Sequence, residues 1–129
     1  MEQPRYLIDT NAVIDYLGSK FPSAAMKFMS SVMDAVPVVS VITKIEVLGF
    51  NAAPEHYDLL TNFMKDATVI DLTSAIVERS IEIRKNQKTK LPDVIIAATA
   101  MANELILISR NASDFKNIPG LEFIDVHNL

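Results

Sequence analysis

Four carboxylates stand where one segment of this chain gives way to the next: Asp9 in LIDTN, Glu46 in SVITKIE, Asp93 in LPDVIIAATA and Asp114 in ISRNASDF. Asp93 is the most pointed case, because it heads a run that is otherwise almost entirely apolar. Each acid has a plain structural role open to it. Asp9 and Asp93 suit helix starts, where a carboxylate accepts orphan backbone N–H groups and meets the positive end of the dipole. Glu46 stands in capping-box order with Thr43, and Asp114 can close a turn beside Ser113. Gathered at one place, the four would do something else. Ionised carboxylates at close range repel, and they persist together only beside a compensating cation. An all-oxygen ligand set completed by water is what Mg²⁺ and Mn²⁺ prefer.

The elements that must position these acids alternate along the chain. YLIDT, VVSVI, ATVIDL, ELILIS and LEFIDV read as strands, nearly continuous apolar runs of the kind buried on both faces of a sheet. Helical spacing places Ala25, Phe28, Met29, Val32 and Met33 on one face, then Tyr57, Leu60, Phe63 and Met64, then Ile76, Val77, Ser80 and Ile83. LPDVIIAATAMANE forms a further helix, and SDFKNI a short helical turn. Strands separated by helices imply right-handed crossovers and an α/β three-layer sandwich, with a central, mainly parallel sheet of four to five strands. No repeat, low-complexity tract or linker interrupts residues 1–129, so one domain is expected.

In such sheets ligands bind outside the carboxyl ends of the strands. The first strand ends in Asp9-Thr10-Asn11, and the second is followed by Ser40, Thr43 and Glu46. The fourth runs into Ser109-Arg110-Asn111, with Asp114 close behind. A helix antiparallel to the strands brings its N-terminus, and Asp93, to the same rim. The four acids are therefore expected on one patch.

Composition removes several alternatives. The chain has 129 residues, half of them apolar, enough for a real core. It has no cysteine, which excludes disulfides, thiolate zinc sites and cysteine nucleophiles. His56 and His127 fall in segments away from the acidic rim and are expected at the surface, which disfavours zinc. MEQPRYLIDTN shows no secretory signal pattern and no apolar run spans a membrane, so a soluble cytoplasmic protein is expected. Net charge is −4, the wrong sign for bulk electrostatic binding of nucleic acid. The bases cluster, however: Arg79, Arg84, Lys85, Lys88 and Lys90 crowd one segment, and Lys44, Arg110 and Lys116 lie beside the acids.

Taken in order, LIDTN, SVITKIE, LPDVIIAATA and ISRNASDF resemble the PIN-domain ribonucleases, and more narrowly the VapC-type toxins of bacterial toxin–antitoxin pairs. The resemblance covers nearly the whole chain. It implies that Asp9, Glu46 and Asp93 hold a divalent metal, Mg²⁺ or Mn²⁺, for hydrolysis of RNA phosphodiester bonds. It offers two positions for a fourth polar residue, and Asp114 ranks ahead of Asn111 there. Thr10, Asn11 and Thr43 match positions that orient the acids or the attacking water. Ser109 stands where Thr is more usual and keeps the hydroxyl. Lys90, Lys44 and Arg110 are candidates to grip the RNA backbone. An antitoxin partner and a homodimer are implied as well, and no membrane.

Two other classes compete. Folds with an aspartyl-phosphate nucleophile also place acids at this edge. One group wants a second acid where Asn11 stands, and receiver-type domains want an acceptor at the end of a middle strand, for which only Asp71 qualifies. Alternatively, the chain is a PIN-like binding module, with Phe21, Met26, Phe28, Met29 and Met33 forming a groove for a partner helix rather than core.

Overall fold

Apolar segments pair side by side as parallel strands, and the stretches between them coil into helices. In the computed structural model, which describes residues 5–110 and 112–129, the order is β1 (Tyr6–Ile8), α1 (Thr10–Leu17), α2 (Ser23–Asp34), β2 (Val38–Ser40), α3 (Val41–Leu48) and α4 (Pro54–Asp66). There follow β3 (Thr68–Ile70), α5 (Ser74–Asn86), α6 (Leu91–Ala102), β4 (Ile106–Ser109), α7 (Ala112–Phe115), β5 (Phe123–Asp125) and a 3₁₀ turn at Val126–Asn128.

All pairings are parallel. β1 runs beside β4 in the register Leu7 with Leu107, and β4 beside β5 in the register Ile108 with Ile124. β2 pairs with β3 in a separate two-stranded ladder. β2 nevertheless lies against β1, so the five strands follow the spatial order β3-β2-β1-β4-β5 with the ladder interrupted between β2 and β1. Among the described residues the expected parallel sheet is present as hydrogen-bonded ladders of three and two strands.

The two-residue period of the strands divides the core into two layers. Ile8, Val39 and Ile108 face α1 and α2, where Ala12, Val13, Ala25 and Met29 are fully or almost fully buried. Leu7 and Leu107 face the other way, toward Ile76 of α5 and Val94, Ile96, Ala97, Ala98 and Ala100 of α6. The alanines let α6 approach the sheet closely, which is why LPDVIIAATA is apolar almost throughout.

Local chemistry shifts several expected boundaries. VVSVI does not continue as a strand past Ser40, whose hydroxyl accepts from Ile42 N–H at 3.1 Å and starts α3 at Val41. Thr43 therefore lies inside the helix, wholly buried, and the capping box with Glu46 does not form. On α5, Ile76, Ser80 and Ile83 point inward but Val77 is 37% exposed; on α4, Leu60 and Met64 are buried while Tyr57 is 43% exposed. Phe21 and Met29 are core, and Met26, Phe28 and Met33 are half-buried against it. No helix among the described residues is long and apolar enough to cross a membrane.

Candidate active site

The site begins with Asp9, where β1 becomes α1. Its backbone N–H continues the strand pairing, donating to Ile108 O at 3.1 Å. Its side chain caps α1, accepting from Ala12 N–H at 2.9 Å. The plain structural role is therefore real for Asp9, with the helix starting at Thr10. Asp9 is 4% exposed, and this burial raises its pKa to about 6 from an ordinary 3.8. The Ala12 N–H and the Ser109 hydroxyl, which donates to it, pull the other way; Asp93 raises it further, and Arg110 lowers it. Asn11, the next residue but one, is half-buried on α1.

Asp93 is not a cap. The cap position of α6 belongs to Lys90, which has no acceptor to offer, and Asp93 sits in the first turn behind Pro92. Among the described residues its carboxylate accepts no hydrogen bond. Desolvation raises its pKa, Asp114 and Glu46 add to this as like charges, and Lys90 opposes them. Asp93 therefore closes no cap and keeps only the general favour of an acid in the first turn of a helix, against the crowding of two other acids.

Glu46 is exposed on α3 and is aimed by Thr10, whose Oγ1 lies 2.6 Å from Glu46 Oε1. The Thr10 hydroxyl is also 3.1 Å from Thr43 Oγ1. Its single proton goes to the carboxylate, the stronger acceptor, leaving Thr43 to donate to Thr10. Asp114 is exposed on α7 and is anchored by its neighbour Phe115, which is 1% exposed. Lys88, Lys90, Asp93, Ser113, Asp114 and Asn117 line an open polar cleft of about 480 Å³. Asn111 lies outside the described residues.

The structure thus brings Asp9, Glu46, Asp93 and Asp114 into electrostatic contact at one rim, with Thr10, Thr43, Ser109 and Lys90 against them. Lys44 is exposed on α3. Arg110, its side chain 45% exposed, contacts Asp15 at 3.1 Å while lying close enough to Asp9 to act on its charge. His127 is not a surface residue: it is half-buried, stacked at a tilt on Phe21 with ring centroids 4.9 Å apart, and its Nε2 is 3.5 Å from Asp15. Asp15 itself was not singled out by spacing; the available signal was an acid on a helix whose neighbours Ala12 and Val13 are core. Asp71, the candidate phospho-acceptor, is exposed after β3, which pairs with β2 alone.

The donor set is all oxygen, as Mg²⁺ and Mn²⁺ require, and the mutual repulsion of the acids is what such an ion would relieve. Among the described residues no three His, Cys, Asp or Glu side chains are spaced for one common ion. Mg²⁺ is commonly held by one or two carboxylates, with water and substrate phosphate as its remaining ligands.

Comparison with known proteins identifies the family and the fold. The PIN domain profile matches residues 6–121. A chain in the structure of a toxin–antitoxin complex from Klebsiella pneumoniae is 34% identical, aligned over 94% of this chain and 97% of that one, with a TM-score of 0.74. A chain of DNA-bound VapBC from Salmonella typhimurium superposes with a TM-score of 0.81 at 22% identity, over 96% and 99% of the two chains. FitAcB from Neisseria gonorrhoeae gives 0.76 at 18% identity, over 96% and 99%. The last two speak to the fold alone. No curated protein matches the chain. A profile that spans both layers of the core and all four acids settles the family: the chain belongs to the PIN-domain family.

Proposed function

We propose that this chain is a single-domain, divalent-metal-dependent endoribonuclease, the toxin of a toxin–antitoxin pair acting in the cytoplasm. The observation that carries the reading is the electrostatic crowding of Asp93 by Asp114 and Glu46, and of Asp9 by Asp93. Asp9 and Asp93 would hold Mg²⁺ or Mn²⁺, with Glu46 and Asp114 reaching it directly or through water. Asp114 ranks ahead of Asn111 as the fourth residue. When bound, the ion lowers the pKa of a water, orients it in line and offsets charge developing on the phosphate.

The remaining residues prepare that chemistry. Ala12 N–H and the Ser109 hydroxyl hold Asp9 in one orientation, and Thr10 aims Glu46. Thr43, buried behind Thr10, keeps its hydroxyl turned the right way. Asn11 contributes to positioning at the same helix start. Lys90 and Lys88 flank the polar cleft and suit the phosphates of a bound RNA strand, and Lys44, exposed on α3, is a further candidate for that role. The cations are few, so this electrostatic contribution would be modest, and binding would weaken only gradually as salt rises. The Klebsiella pneumoniae relative occurs in a toxin–antitoxin complex, which supports a cognate antitoxin for this chain. A homodimer is part of the same proposal.

The test is hydrolysis of a structured RNA by the purified chain. Cleavage should require Mg²⁺ or Mn²⁺, stop in excess EDTA, and disappear in Asp93→Asn while the variant stays folded. Cleavage that persists in EDTA, or at the parental rate in Asp93→Asn, contradicts the assignment. A trapped phospho-aspartyl adduct would instead favour phosphotransfer.

A further inference from the structure

Asp15 lies on α1, 4% exposed, and meets two groups that come from the far end of the chain. Arg110 Nη1 approaches Asp15 Oδ2 at 3.1 Å and Oδ1 at 3.4 Å, across a separation of 95 residues. His127 Nε2 stands 3.5 Å from Oδ2, its ring set against Phe21. Val126, beside it, is wholly buried and fixes the terminal turn. The Asp15–Arg110 pair sets opposite charges in direct contact, with the acid buried and the guanidinium partly open to solvent. A buried carboxylate is also costly to leave without its partner.

The pair acts at a sensitive place. Arg110 directly follows Ser109, the last residue of β4, and the Ser109 hydroxyl donates to Asp9. Asp9 starts α1, and Asp15 lies further along that helix. Strand exit and helix are thus joined twice: once by Ser109 on Asp9, once by Arg110 on Asp15.

We propose that Asp15 is a positioning residue for Asp9, acting through Arg110 to keep the Ser109 hydroxyl on the Asp9 carboxylate. The inference rests on the reading of Asp9 as a metal-holding residue. Groups behind a metal ligand typically set its affinity by ten- to a hundredfold, so the pair should tune ion binding as well as stability.

Mn²⁺ binding to the full chain, followed by the free-ion electron paramagnetic resonance signal, tests this alongside the melting temperature. Asp15→Asn preserves shape and lets the partly exposed Arg110 turn to solvent; Arg110→Met keeps the stem, and Arg110→Lys keeps the charge. Asp15→Asn and Arg110→Met should each weaken Mn²⁺ binding roughly tenfold, the double variant should be no weaker than either, and Arg110→Lys should recover most of the loss. Folded Asp15→Asn and Arg110→Met variants that bind Mn²⁺ as the parent does, whatever their melting temperatures, would overturn the proposal and leave the pair a structural tie. Absence of Mn²⁺ binding by the parent chain itself would overturn the metal reading and this inference together.

Discussion

Thr10 Oγ1 stands 2.6 Å from Glu46 Oε1, a hydroxyl from the exit of β1 held against a carboxylate on α3. The contact joins residues 36 apart and places the only exposed acid of α3 toward Asp93. Glu46 is open to solvent, so the bond adds little to stability; its effect is to choose one orientation for the carboxylate. Thr10→Val also leaves the buried Thr43 hydroxyl without its acceptor, so it should cost about 1–3 kcal/mol in stability and lower RNA cleavage roughly tenfold, with Thr10→Ser restoring both. Steady-state rates beside thermal melts decide the matter. Equal losses in Thr10→Val and Thr10→Ser would show that the hydroxyl is not what counts.

Asp9 carries two roles that substitution can separate. Asn caps a helix as well as Asp does, whereas Ala costs about 1 kcal/mol. Asp9→Asn also removes a buried charge at neutral pH, so without metal it should melt at or above the parent temperature. Asp9→Ala should melt about 4 °C below Asp9→Asn. Both should be inactive. Residual parental activity in either would remove Asp9 from the site.

The raised pKa of Asp9 gives stability a definite pH dependence. In the folded chain the carboxyl keeps its proton up to about pH 6, and in the unfolded chain only to about 3.8. Between these values the folded state holds more protons, so stability falls as pH rises through the window. For a group this buried the fall is on the order of 3 kcal/mol. It should be present in the parent without metal and largely absent in Asp9→Asn, where Asp93 loses only the repulsion of one like charge. Metal binding needs the ionised form, so the melting-temperature gain from Mg²⁺ should grow from pH 5 to pH 7.5. Identical pH profiles for parent and Asp9→Asn would contradict the burial argument.

Much of this arrangement was legible before any coordinates, because strand ends and helix starts are local signals. LIDTN, PDVIIAATA and SRNASDF each place an acid at a boundary, and parallel topology carries boundaries to a common edge. The failures are equally physical. In SVITKIE two hydroxyls compete to start a helix, and a capping rule cannot choose between them; Ser40 wins because β2 delivers it to the edge already extended. Helical spacing identified the buried side of α5 through Ile76 and Ile83 but not its limit, and Val77 falls just beyond it. Asp15 left almost no trace, since its partners Arg110 and His127 are 95 and 112 residues away. Asp93 was the reverse case. Its position reads as a cap, and only the extended backbone of Lys90 shows that the cap lies three residues earlier.

Crystals of the parent chain soaked in Mn²⁺ test the central claim most directly, through the anomalous scattering of the ion. The proposed function predicts a peak at about 2.1 Å from one oxygen of Asp9 and one of Asp93, with water completing the shell, and no such peak in Asp93→Asn. A map with no ion at this rim, or with Mn²⁺ bound only by other acids, would mean that the gathered carboxylates serve some purpose other than metal-dependent hydrolysis.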